Sequence, residues 1–309
     1  MNATAIAYEQ LIDRFIRWAH TDDNIRAAGI VGSRARIDHP ADGWSDLDVL
    51  LVATDPQPYC ARSDWLHEIG VPWLTHVEPT ADGMRMERRV LFEGGLDADF
   101  IPCSVADVLS MVEHGFPPEV ADMLHRGIRF LLDKDNLAAT LNQVAIVPPP
   151  RLPPSEEEFL NVVNDFWYHV VWTAKHLRRG ELWWGKSACD DYLKQLLRQT
   201  LEWHARARRG EGVDVWAHGR FLEEWVDSRA LESLPRLFAH YDEADVWRAL
   251  KATMALFQWV AAETAEVLRY SYPVPGQKRA MELAERMFVE RSRSQSRASL
   301  DRATRKPAS

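Results

Sequence analysis

Cysteine is scarce in this chain: three residues in 309, Cys60, Cys103 and Cys189, with no ligand spacing between any two. That excludes a disulfide framework and a cysteine zinc site, and it suits a reducing, cytoplasmic compartment. No apolar run is long enough to cross a bilayer, so no membrane is expected as a partner. Positive charge is also short. The 37 Lys and Arg against 46 Asp and Glu leave a formal net charge of −9, which argues against a nucleic acid held through its phosphates. The same balance suits a cationic small molecule. The histidines form no HxxxH-type pair. The opening "MNATAIAYEQLIDRFIRWAHTDD" lacks the basic start and small-residue cleavage site of a signal peptide. It reads as an amphipathic helix with Ile6, Leu11, Phe15 and Trp18 on one face.

What is present is ordinary globular material, 46% apolar and 27% charged, in a length that suits two domains. The stretch "VPPPRLPPSEEEF", Val147 to Phe159, divides it with five prolines. Ser155 followed by Glu158 is a capping box that opens a new helix. Before the prolines the pattern is mixed: a helix, a strand at about Arg26 to Val31, and a strand from Leu47 to Ala53. "RMERRVLFEGGLDADFIP" then reads as two strands joined through Gly94-Gly95. After them the apolar period is helical, over about Glu156–Arg179, Ser187–Arg208, Gly219–Trp225, Glu243–Leu268 and Pro275–Glu290. The expected fold class is α+β: a domain over 1–147 with a mixed sheet flanked by helices, then an all-α bundle over 148–290. The Arg- and Ser-rich segment 291–309 reads as a disordered basic tail.

The chemistry concentrates in "GIVGSRARIDHPADGWSDLDVLLVATDP". Residues two apart on a strand share a face, so Asp46 and Asp48 project together while Leu47, Val49 and Leu51 line the other side. Charges at the mouth of a buried strand are costly unless neutralised. Paired carboxylates suit Mg²⁺, a hard cation that takes oxygen ligands and shares them with substrate phosphates. The later strand offers Asp97 and Asp99, again on one face, and a third carboxylate there would complete a site for in-line displacement at phosphorus. Periodicity does not choose between the two. Upstream, Gly32 allows close backbone approach to a ligand, and the Ser33 hydroxyl suits a terminal phosphate. An Asp-x-Asp alone is often a solvated strand start. The Gly-Ser turn, the pair entering an apolar strand and the later acidic strand are together far more specific.

The combination resembles the nucleotidyltransferase superfamily of the DNA polymerase β type. The likeness extends along nearly the whole chain to the aminoglycoside 6-adenylyltransferases, which modify streptomycin. "GSRAR", "SDLDVLLVATD", "LFEGGLDADFIP" and "RGIRFLLDKDN" carry it in the first half. "NDFWYHVVWTAKHLRRGELWWGK", "HGRFLEEWV" and "VLRYSYP" carry it in the second. The resemblance implies a nucleotidyltransferase domain ahead of the helical bundle, ATP as co-substrate, Mg²⁺, and a cationic acceptor. By it, Gly32, Ser33 and Arg34 hold the triphosphate, Asp46 and Asp48 bind metal, and Asp97 takes the third acidic, catalytic position. Asp97 is also the best candidate for the general base. Asp99 is then an extra carboxylate beside the substrate, and Lys175, a solvated helix lysine by spacing alone, reaches the phosphates. Asp165 and Glu181 could face the acceptor's ammonium groups, although each alone reads as a helix-surface charge. Trp183 and Trp184 could stack on a base or a sugar, or serve an interface. Rival readings keep the chemistry and change the acceptor to a lincosamide-like drug or a protein hydroxyl, or make the chain a silent nucleotide-binding protein.

Overall fold

The structure, a computed structural model, describes residues 3–36, 39–80, 83–147 and 152–304. Two compact units divide the chain, Met1–Pro149 and Pro150–Ser309. Of the expected proline linker, residues 148–151 lie outside the described residues.

The first unit runs α1 (Ala3–Thr21), β1 (Ile25–Val31), β2 (Leu47–Ala53), α2 (Gln57–Ala61), α3 (Leu66–Ile69), β3 (Pro72–Pro79), β4 (Met86–Phe92), β5 (Leu96–Ser104), α4 (Val105–His114), α5 (Pro118–Arg126), β6 (Arg129–Asp133) and α6 (Leu137–Asn142). Its sheet has the order β3-β4-β5-β2-β1-β6. β2 and β5 pair in parallel, whereas the other neighbours are antiparallel. The alternation in each strand decides what each face meets. Leu47, Val49 and Leu51 of β2, with Ala98 and Phe100 of β5, pack under Leu11, Ile12 and Phe15 of α1. Each such large side chain taken out of water contributes about 1.5–3 kcal/mol. The buried face of α1 includes Tyr8, while Ile6, expected on that face, is exposed.

The opposite sheet face is divided. Val52 and Cys103 pack on Val108 of α4 and on Leu137 and Leu141 of α6, so the far ends of β2 and β5 are covered. Their starts, where the aspartates lie, are not part of that apolar cluster. The β4–β5 hairpin turns through Gly94 and Gly95, at φ 86° and 74°, a left-handed conformation that favours glycine.

Two strands were not legible. One is β3, whose first and last residues are prolines. Proline suits an edge strand with one unpaired side, and β3 is at the sheet edge. β6 is five residues long, too short for a period to register.

The second unit is helical: α7 (Glu156–Arg178), α8 (Leu182–Ser187), a π turn at Ala188–Tyr192, α9 (Leu193–Arg209), α10 (Leu222–Trp225), α11 (Ser228–Ser233), α12 (Glu243–Leu268) and α13 (Val274–Thr304). Ser155 and Glu158 form the expected capping box. Phe166 of α7 stacks on Phe257 of α12 with ring centroids 3.5 Å apart, in a core that also takes Trp167, Trp225 and Trp247. The helix expected from Ser187 begins earlier and passes through the π turn. The basic tail departs from its expected disorder. Arg291 is helical, paired with Glu243, and α13 continues to Thr304. No Gly or Pro interrupts Lys278–Thr304, so Arg, Gln, Ala and Leu there extend a helix already anchored by its packed first turns. Residues 305–309 lie outside the described residues. No described helix is long and apolar enough to cross a membrane.

Candidate active site

The parallel ladder between β2 and β5 pairs Leu47 with Ala98 and Asp48 with Asp99. Paired residues of neighbouring strands project to one face, so the two carboxylates stand side by side. Asp46, just before β2, completes a group in which ligand oxygens of Asp46, Asp48 and Asp99 all lie within 4.8 Å of one another. The grouping differs from the expected one, which had Asp97 in the third position. Asp97 is not in the group; it lies one pleat earlier on β5 and is exposed, whereas Asp99 is buried. The two aspartates share a face, and the register sets Asp99 opposite Asp48.

Three carboxylates this close repel. At an effective dielectric of about 20, two like charges 4 Å apart cost about 4 kcal/mol. Burial, then the charges of Asp46, Asp99 and Glu87, pushes Asp48 up to about 7. Asp99 is also pushed up to about 7, mainly by burial, with Arg89 opposing and Glu87, Asp97 and Asp46 assisting. Asp97, although exposed as a residue, has a partly desolvated carboxyl and is raised as well, first by that desolvation and then by Asp46, against Arg89 and His76. A divalent cation would relieve this repulsion. The residues fit one: the donors are all carboxylate oxygens, and Asp99 Oδ1 is buried with no hydrogen-bond partner. An all-oxygen set selects a hard ion such as Mg²⁺.

Gly32 opens a short 3₁₀ turn, Gly32–Arg34, directly after β1. Its φ is +67°, and a Cβ there would stand 2.1 Å from Asp48 Oδ2. The close approach foreseen for a ligand is thus made to a site carboxylate. The backbone packs against Asp48, and only glycine leaves room. Ser33 is buried, and its Oγ has no hydrogen-bond partner, which fits a hydroxyl held ready for a phosphate oxygen.

Arg34, expected beside the triphosphate, is engaged with the main chain of the site. Its Nε donates to the Asp46 carbonyl at 2.9 Å and its NH2 to the Ser45 carbonyl at 2.6 Å. The guanidinium also lies 3.5 Å over the Tyr8 ring. These contacts fix the main chain that presents Asp46, so Arg34 acts as a brace. Tyr8 completes the bracket, because its hydroxyl accepts from the Asp97 amide at 3.0 Å. Sequence reasoning missed Tyr8, which reads simply as part of an amphipathic helix. It also missed Arg89 and Glu87 on β4. Arg89 reaches Glu78, Glu87 and Asp99, and on an alternating strand such charges look like a solvated face.

The remaining candidates belong to the helical unit. Lys175 is exposed near the end of α7. Asp165 is bonded to His169 and accepts from the Tyr192 hydroxyl at 2.8 Å. Glu181 pairs with His176 and Arg179. Around them rings gather: Trp172 lies 4.0 Å from His176 and 5.7 Å from Trp184, and His169 lies 4.4 Å from Tyr192. Trp183 and Trp184 are both exposed rather than core residues. The π turn ends at Tyr192 and sets that ring beside α7, a use of π geometry common at functional sites.

Comparison with known proteins agrees with the motif reading. A family model described as streptomycin adenylyltransferase matches residues 7–287. The chain is 24% identical over 277 residues to an aminoglycoside 6-adenylyltransferase of Bacillus subtilis (strain 168), covering 86% of this chain and 92% of that protein. It is 23% identical over 299 residues to an aminoglycoside 6-adenylyltransferase of Campylobacter jejuni, covering 87% and 92%. Among solved structures, an aminoglycoside 6-adenyltransferase from Bacillus subtilis aligns with a TM-score of 0.43 and 19% identity, over 91% of this chain and 98% of that one.

Proposed function

The chain belongs to the streptomycin adenylyltransferase family and is a nucleotidyltransferase, and from that premise we propose that it transfers AMP from ATP to a hydroxyl of an aminoglycoside such as streptomycin. The observation that carries the reading is the group Asp46, Asp48 and Asp99, with Asp99 Oδ1 buried and unpartnered. Mg²⁺ held by these three carboxylates would supply Lewis-acid stabilisation of charge on the phosphate oxygens.

The chain's own residues account for the rest. Ser33, at the Gly32 turn, donates its hydroxyl to the triphosphate, and the family likeness gives Lys175 a phosphate-binding role. The acceptor hydroxyl attacks the α-phosphorus; the new O–P bond forms as the bond to the β-phosphate oxygen breaks, and pyrophosphate leaves. Asp97 takes the hydroxyl proton. Its exposed position lets an acceptor reach it, and its raised pKa suits a base. Positioning and electrostatics supply most of the acceleration. Asp165 and Glu181, among the rings of Trp172, Trp184 and Tyr192, suit a cationic, hydroxyl-rich acceptor: carboxylates for its positive groups, aromatic faces for its sugar rings. The net charge of −9 favours its approach. Free cysteines throughout suit the reducing, ATP-rich cytoplasm.

Mass spectrometry of an aminoglycoside panel incubated with the protein, ATP and Mg²⁺ tests the acceptor. Streptomycin should gain one adenylyl group. A gain instead on a lincosamide or on a protein would move the assignment to that acceptor. No transfer to any of them, with ATP still bound, would make the chain a silent nucleotide-binding protein.

A further inference from the structure

The ionisable row of the site does not end at Asp99. Cross-strand pairing carries it over four strands: Asp48 of β2 opposes Asp99 of β5, Asp99 opposes Arg89 of β4, and Arg89 opposes His76 of β3. Arg89 is the one member of this row that is cationic at every accessible pH, and its guanidinium meets three carboxylates. Nε lies 2.8 Å from Glu78 Oε1 and 3.0 Å from Glu87 Oε1, and NH2 lies 3.2 Å from Asp99 Oδ2. Two of those partners are deeply buried, the side chains of Glu87 and Asp99 being 9% and 5% exposed. The two Asp99 oxygens therefore have different fates. Oδ2 is fixed by Arg89, while Oδ1 is buried with no partner.

We propose that Arg89 is a positioning residue of the nucleotidyl-transfer site, a built-in counter-cation that locks the rotation of Asp99 through Oδ2, leaves Oδ1 for the metal, and weakens the site's grip on that metal. The inference rests on the metal-binding reading of Asp46, Asp48 and Asp99 given above. Two consequences follow from the geometry. A fixed positive charge beside Asp99 opposes a second cation at the same carboxylates, so metal binds less tightly than three carboxylates alone would hold it. The guanidinium fork also engages Glu87, so that carboxylate stays tied to β4 instead of swinging in as an extra ligand.

The test uses the full chain and Mn²⁺ alone, without nucleotide, with binding followed by calorimetry and by the Mn²⁺ paramagnetic signal in mildly alkaline buffer. Arg89→Gln removes the charge and should bind Mn²⁺ about three- to tenfold more tightly, while kcat falls by ~10-fold or more because Asp99 and Glu87 are no longer held. Arg89→Lys keeps the charge but lacks the planar fork. It should bind Mn²⁺ within about twofold of the parent and still lose kcat. Damage to the fold alone would weaken Mn²⁺ binding in both variants, so tighter binding is an outcome that a merely structural role does not produce. Unchanged or weaker Mn²⁺ binding in Arg89→Gln, with the parent binding normally, overturns this inference and leaves the metal site standing. A parent that binds no Mn²⁺ overturns the metal-binding reading itself.

Discussion

Asp99→Asn should lower kcat/KM by about 1,000-fold and abolish Mn²⁺ binding, whereas Asp97→Asn should leave Mn²⁺ binding intact and lower kcat by about 100-fold. The difference follows from the register. Asp48 pairs with Asp99, and the grouped oxygens belong to Asp46, Asp48 and Asp99. An amide at position 99 removes both the charge and one ligand oxygen. At position 97 the amide removes a proton acceptor from the exposed rim, and the acidic limb of the kcat profile should go with it. Stability supplies an independent readout. The folded pKa of Asp99, about 7, stands above the ~3.9 of an unfolded aspartate. The metal-free native state therefore binds the extra proton, and its stability falls as pH rises from about 4 through about 7. Asn cannot ionise. Without metal at pH above that window, Asp99→Asn should melt above the parent while being the less active enzyme. If Asp97→Asn loses Mn²⁺ and Asp99→Asn keeps it, the ligand assignment drawn from the register is wrong.

Gly32→Ala should cost activity on a similar scale, at least ~100-fold in kcat/KM, for two separable reasons. At φ +67° an L residue is strained by about 1–2 kcal/mol. In addition, the new Cβ would stand 2.1 Å from Asp48 Oδ2 and 3.0 Å from its Cγ, so the carboxylate must leave its place among the ligands. Gly83 offers the control. Its φ is +66°, but nothing lies within 4 Å of a Cβ built there. Gly83→Ala should show the strain in its melting temperature and nearly full activity. Kinetics and thermal unfolding of the two variants side by side check the argument. Equal activity in both would mean that Asp48 moves without consequence and is not a catalytic ligand.

The features legible from sequence were those with a local physical cause. β2 runs Leu47–Ala53, the bounds its alternation implies, because one face had to be apolar and the other began with Asp46 and Asp48. Gly94-Gly95 marked the hairpin because a tight turn there needs two positive φ angles. Ser155 and Glu158 marked a helix start because the capping box is a four-residue device. What failed depended on partners distant in sequence. Asp97 and Asp99 are equivalent under a period of two, and the parallel pairing that separates them joins strands linked by a long crossover. The contacts of Arg34 with the Ser45 and Asp46 carbonyls had no sequence signal, because only the folded loop brings those groups together. Arg89, Glu87 and Glu78 acquire meaning when β3, β4 and β5 align. The Arg- and Ser-rich end of the chain has the composition of a disordered tail, yet α13 carries it to Thr304, because helix continuation from a packed segment needs no apolar period of its own.

The most direct test of adenylyl transfer follows two labels of ATP in parallel reactions with streptomycin and Mg²⁺. Label on the α-phosphate should move to the drug, and label on the γ-phosphate should appear only in pyrophosphate, because the proposed reaction is attack at the α-phosphorus. Label from the γ-phosphate on the drug would show phosphoryl transfer instead and would contradict the account.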